Sequence, residues 1–155
     1  MADAYYADSS VLVKRHVQEV GTSWFRSVSD PATGNALITS RLSVVEVYSA
    51  FNRRRREAKL SQADYTQLAD DFAAICAAEY QIIELTVKVT ERARLLLEKY
   101  PLRAGDAIQL ASALVASDTL QIAGLPAPIF LAADDRLLNA ARAEGLATDD
   151  PRAHP

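Results

Sequence analysis

Two kinds of apolar spacing alternate along the chain. Short continuous apolar runs are bounded by charges or turn residues. Tyr5, Tyr6 and Ala7 run straight into Asp8, and "ALITS" spans 36–40. "QIIELT" spans 81–86, "PAPIFLAAD" spans 126–134 and "GLATDDP" spans 145–151. These predict strands at 4–8, 36–40 and 81–86, a fourth within 126–134 and a short fifth within 145–151. Between them the apolar residues return at helical spacing, as at Tyr65, Leu68, Phe72, Ile75 and Cys76. Helices are predicted at about 10–18, 21–30, 42–58, 62–79, 87–99, 104–118 and 135–144. Ser61 caps the fourth of them, "DPATGN" at 30–35 is a turn, and Pro101 ends the fifth pattern. Strands alternating with helices give an α/β fold with a mainly parallel sheet.

In such a sheet the carboxyl ends of the strands lie along one rim, where ligand sites form. Asp8 ends the first predicted strand and Asp134 the fourth. Glu46 is expected in the first turn of the helix after strand two, and Asp106 opens another apolar helix. Each also has a structural reading. Asp8 with Ser9 and Ser10 can cap a helix, Ser43-x-x-Glu46 is a capping box by sequence, and Asp106 and Asp134 suit helix N-termini. As a set they are less ordinary, because each lies in an apolar stretch. Glu46 is bracketed by Val44, Val45 and Val47, and Asp134 follows Ile129 through Ala133.

Convergence of these acids would carry an electrostatic penalty. Two carboxylates about 5 Å apart repel by roughly 3 kcal/mol at an effective dielectric of about 20. Four together would rival a domain's whole stability of about 5–15 kcal/mol. Protonation or a cation must relieve it. An all-oxygen, carboxylate-rich set suits Mg²⁺, or Mn²⁺ in its place, rather than zinc or copper.

Bulk properties narrow the partners. The 155 residues are half hydrophobic, which fits one domain over 1–150, with 151–155 expected as a mobile tail. Seventeen basic residues face twenty acidic ones, so nucleic acid would be held by a local basic patch or through metal ions. Cys76 is the sole cysteine, so no intrachain disulfide forms, and its apolar surroundings predict burial. No leader segment or membrane-length apolar run is visible, so a soluble cytoplasmic protein is expected.

The four acidic segments resemble the signature of the PIN-domain nucleases, most closely the VapC-type toxins of toxin–antitoxin pairs. "YYADSSVLVKRH" resembles the family's first strand with its Asp and following Ser, here Asp8 and Ser10. "SRLSVVEVYSAFNRR" resembles the helix bearing Glu46, and "LRAGDAIQLASAL" the third motif, with Asp106. "FLAADDRLLNAA" resembles the fourth, with Asp134 in the acid position and Asp135 beside it. The family often carries Thr or Ser two residues before the last acid, where this chain has Ala132.

The resemblance implies a PIN-like three-layer sandwich with about five strands flanked by helices. It implies a homodimeric, Mg²⁺-dependent endoribonuclease that cleaves RNA and is inhibited by a cognate antitoxin protein. Asp8 and Asp106 would be the main metal ligands, with Glu46 and Asp134 completing the catalytic acidic pocket. Ser10 and Arg103 would support it. Two other readings stay open: an inactive PIN-like module binding RNA or a partner, and a phosphotransferase with Asp8 as nucleophile. Against the latter, Ser10 stands where a second Asp would be expected.

The basic run "NRRRREAK" at 52–59 reads either as phosphate contact or as a solvated helix end, with Lys14 and Arg15 as further phosphate candidates. His16 and His154 have no partner at ligand spacing. Trp24, Phe25, Tyr48 and Phe51 are expected to pack.

Overall fold

The computed structural model describes residues 2–155. Its five strands are β1 (Ala4–Ala7), β2 (Ala36–Ser40), β3 (Tyr80–Ile83), β4 (Ile129–Leu131) and β5 (Thr148–Asp149). They form one sheet in the order β3-β2-β1-β4-β5, parallel at every pairing. The helices are α1 (Ser9–His16), α2 (Thr22–Val28), α3 (Arg41–Arg56), α4 (Gln62–Ala78), α5 (Val87–Lys99), α6 (Ala104–Ile122) and α7 (Asp135–Ala143).

Successive side chains of a strand face opposite sides of the sheet, and both faces are covered. Tyr6, Ile38 and Phe130 point into one core with the apolar stripes of α5, α6 and α7. Ala7, Leu37 and Leu131 point into the other, with residues of α1 to α4. The pattern of strands and helices predicted the parallel α/β sheet, and its three layers are those the resemblance implied. The Tyr6 and Phe130 rings stack across the neighbouring strands β1 and β4 at 5.5 Å. On the opposite face Phe25, Phe51 and Phe72 are fully buried.

Element boundaries moved where backbone chemistry decides them. β4 begins only at Ile129, because Pro126 and Pro128 have no amide proton to give a ladder. α6 runs on to Ile122, because nothing breaks it before Gly124, which takes a left-handed conformation just past its end.

Residues 151–155, expected as a mobile tail, are packed. A short 3₁₀ turn (Pro151–Ala153) buries Pro151. The His154 ring then stacks on Trp24 at 4.2 Å, and its Nε2 meets the Asp149 carboxylate at 2.9 Å. Gly21 lets the turn dock. It has a φ of +88°, and a Cβ there would sit 2.3 Å from the Pro151 carbonyl oxygen. Among the described residues, no helix is long and apolar enough to cross a membrane.

Candidate active site

The parallel order brings the carboxyl ends of β1, β2 and β4 to one rim, and α1, α3 and α7 start there. α6 starts at the same rim, so all four expected acids meet in one region.

Asp8 follows β1 directly and is 5% exposed. Its Oδ1 accepts from the Val11 amide at 3.1 Å, capping α1, and from the Ser10 hydroxyl at 2.6 Å. Ser10 Oγ in turn accepts from the Ala133 amide at 3.3 Å, joining the ends of β1 and β4. Asp134 caps α7, with Oδ1 accepting from the Leu137 amide at 2.9 Å. The capping readings of Asp8 and Asp134 therefore hold, but each cap occupies one carboxylate oxygen and leaves the other uncommitted.

Asp106 is not a cap. It is the third residue of α6, after Arg103 at the cap position, and accepts no hydrogen bond. Glu46 is not in a capping box either, and it lies in the second turn of α3 rather than the first. Ser40 caps that helix through the Leu42 amide. Ser43 is drawn instead into a buried network, bonding Thr39 Oγ1 at 2.8 Å and Gln109 Nε2 at 2.9 Å.

That network exposes a residue the sequence reading passed over. Gln109 is 2% exposed, one turn along α6 from Asp106. Its Oε1 accepts from the Tyr6 hydroxyl at 2.7 Å, and its Nε2 donates to Glu46 Oε1 at 2.7 Å. With the amide so held, Glu46 is fixed with Oε2 directed toward Gly105, 3.5 Å from where a Cβ would stand. The sequence signal was a lone amide within the apolar segment "DAIQLASAL"; its partner, 63 positions away, was invisible.

The acids act on one another. Burial pushes the Asp8 carboxyl up to about 7; the Ser10 hydroxyl and Val11 amide oppose this, and the charges of Glu46 and Asp106 add to it. Asp106 is also raised, first by burial and then by Asp134 and Glu46, with Arg103 opposing. Glu46, Asp106 and Asp134 open together into a cleft of about 630 Å³ that Arg103 also lines. Asp135 also lines this cleft, but its carboxylate is paired with Arg152 at 2.8 Å.

As a donor set, four mutually repelling carboxylates, three with an oxygen free of any bond and Asp106 with both, fit a hard divalent cation. They do not form a closed clamp. Among the described residues, no three Asp, Glu, His or Cys side chains converge tightly enough to hold an ion alone. An ion here would complete its coordination with water, as Mg²⁺ commonly does.

Comparison with known proteins agrees with this layout. The PIN domain profile matches residues 5–143, which takes in all four acidic segments. The chain belongs to the PIN-domain family. Its relatives include Ribonuclease VapC45 and Ribonuclease VapC49 of Mycobacterium tuberculosis, each 31% identical over 140 residues and covering 90% of both chains. Among solved structures, the PIN fold here is similar to VapBC2 from Rickettsia felis bound to a promoter DNA fragment. The TM-score is 0.63 and the identity 11%, over 95% of this chain and 98% of that one. It is also similar to VapC20 of M. tuberculosis, a toxin that cleaves the sarcin–ricin loop. There the TM-score is 0.60 and the identity 15%, over 92% and 96% of the two chains.

The other histidine has no part in this PIN-domain site. His16, at the far end of α1, is edge-on to Phe51 and Phe72, and burial pushes its imidazole down to about 4. Cys76 is half-buried, and burial pushes its thiol up to about 11, away from the reactive thiolate.

Proposed function

We propose that the protein is a Mg²⁺-dependent endoribonuclease, with Mn²⁺ as an effective substitute, and the toxin of a toxin–antitoxin pair. The observation that carries this is the coupled set of Asp8, Glu46, Asp106 and Asp134 at one rim of a PIN fold, in a chain related to ribonucleases named VapC. Its partners on this reading are an RNA substrate, a cognate antitoxin and a second copy of the chain.

Asp8 and Asp106 would hold the ion, with Glu46 and Asp134 completing the acidic pocket around it. Bound there, an ion would supply charge neutralisation and Lewis acidity for phosphodiester hydrolysis. The chain's own contribution is positional. Ser10 and the Val11 amide keep Asp8 Oδ1 fixed, and the Asp134 cap ties the end of β4 to α7. Gln109 holds Glu46 Oε1, leaving Oε2 to orient the attacking water and accept its proton. The phosphotransferase reading is weaker, because Asp8 is buried and capped rather than presented as a nucleophile.

The test is cleavage of single-stranded RNA by purified protein. Cleavage should require Mg²⁺ or Mn²⁺, stop with chelator, and fall at least about a hundredfold in Asp106→Asn. Cleavage that persists in chelator, or in a folded Asp106→Asn variant, would overturn the proposal.

A further inference from the structure

A second cleft opens on the other side of Glu46. It has a volume of about 390 Å³, lies between α1 and α3, and is lined by Ser9, Ser10, Ser49, Lys14, Arg53 and Arg54 together with the carboxylates of Glu19 and Glu46. Resting on the ribonuclease reading above, we propose that this cleft binds a phosphate of the RNA backbone beside the scissile one. It would thereby set the strand's direction across the acidic pocket.

The helical repeat supplies the geometry. Glu46, Ser49, Ala50 and Arg53 lie at spacings of three and four, on one stripe of α3. From Glu46 to Arg53 the stripe descends about 10 Å, at about 1.5 Å per residue. A strand whose reacting phosphate sits at Glu46 would lay a neighbouring phosphate beside Arg53.

The four-arginine run is divided by the fold. Arg53 and Arg54 face the cleft. Arg55 is turned away, with its guanidinium 4.9 Å from the Tyr65 ring centroid and bonded to Gln62 Oε1 at 2.6 Å. Arg56 does not line the cleft. Among the described residues the Arg53 guanidinium makes no ion pair or hydrogen bond, so its charge is available to a ligand. Lys14 and Arg54 share one carboxylate, that of Glu19, with Lys14 Nζ at 3.1 Å. Two cations on one anion leave an excess positive charge. The Ser9 and Ser49 hydroxyls add donors that suit phosphate oxygens, while the Ser10 proton is already given to Asp8. Val13, Ala50 and Ala133 also line the cleft, so the choice of RNA over a peptide rests on the unpaired Arg53 guanidinium and the surplus cation beside Glu19.

The test measures binding of a labelled short single-stranded RNA to the full chain without divalent ions, at several salt concentrations. Arg53→Gln/Arg54→Gln should weaken binding about tenfold. It should also flatten the salt dependence by about 1.4 in log–log slope, two charges at about 0.7 each for single strands. Arg55→Gln/Arg56→Gln should change affinity less than about twofold. Arg53→Gln alone breaks no hydrogen bond or ion pair and carries the test if the double variant unfolds. Equal losses from both pairs, no loss from the cleft pair, or no RNA binding by the wild-type chain would overturn the proposal. So would an acidic peptide, poly-glutamate, whose binding depends on Arg53 while RNA binding does not. Mg²⁺-dependent cleavage is measured alongside. If cleavage occurs and its KM is unmoved by Arg53→Gln, this inference fails alone. If cleavage is absent while RNA binding depends on Arg53, the ribonuclease reading fails alone.

Discussion

The two ends of α1 each carry an ionisable group that burial perturbs, in opposite directions. At the N-terminal end, Asp8 is pushed up to about 7; at the other, His16 is pushed down to about 4. Desolvation disfavours the charged form in both cases. The neighbours differ. Asp8 also feels Glu46 from α3 and Asp106 from α6, both of its own sign. His16 is set between the edges of Phe51 and Phe72, and its Nε2 has no hydrogen-bond partner. A perturbed group is thus not in itself a site. What separates the two ends is the state of the like charges: Arg15 and Arg26 beside His16 are opposed by Asp71 and bonded within the fold, whereas the carboxylates beside Asp8 keep free oxygens.

The largest expected effect breaks the comparison at the acidic end. Asp8→Asn should lower Mg²⁺-dependent RNA cleavage at least about a hundredfold, whereas His16→Phe should leave it within about threefold. Comparable losses in both variants, measured at equal folded fraction, would remove the distinction. Next in size, Gln109→Leu removes the donor to Glu46 Oε1 and strands the Tyr6 hydroxyl. Activity should fall about tenfold or more with a weaker response to Mg²⁺. Gln109→His, which keeps a ring N–H donor, should recover part of it. A Gln109→Leu enzyme with unchanged Mg²⁺ dependence would show that the amide serves packing alone.

Stability against pH sharpens the same contrast through two limbs of opposite slope. A carboxyl raised in the folded state stabilises fully below its unfolded value. Asp8 should therefore cost the metal-free protein about 2–4 kcal/mol as pH rises from about 4 to 7. Asp8→Asn should abolish that limb and melt higher than wild type above pH 7. An imidazole lowered in the folded state works the other way. Its contribution is present above pH 6.5 and is lost as pH falls toward about 4, by about 1–3 kcal/mol. His16→Phe should flatten that acid limb and spare the neutral one. Denaturant melts across pH 4–8 report both.

The smallest effect concerns the packed terminus. Gly21→Ala places a methyl where the Pro151 carbonyl lies, on a backbone with positive φ. It should cost about 1–3 kcal/mol in thermal melts, through strain and lost docking. Much of that penalty should vanish when residues 151–155 are removed.

The layered α/β architecture could be read from the chain because strand runs and helical periods alternate, and those patterns are local. The four acids could be read because each interrupts an apolar stretch. What could not be read depended on long-range choice. Ser40 and Ser43 both carry capping chemistry, and only the buried network around Thr39 and Gln109 decides that Ser40 caps, which moves Glu46 into the second turn. Gln109 looks like an ordinary helix residue until Glu46 is beside it. The packing of "PRAHP" depends on Gly21 and Trp24, more than a hundred positions earlier. The arginine run gave no face by itself, and α1 and α4 decide which guanidiniums meet a cleft.

Converging carboxylates that need a hard dication should make the fold respond to one. Thermal melts of the folded protein with increasing Mg²⁺ or Mn²⁺ at about pH 8, compared across wild type, Asp8→Asn and Asp106→Asn, test it most directly. The melting temperature should climb with metal in the wild type, and the two variants should start higher and barely respond. A wild type indifferent to either metal, or variants that climb just as steeply, would contradict it.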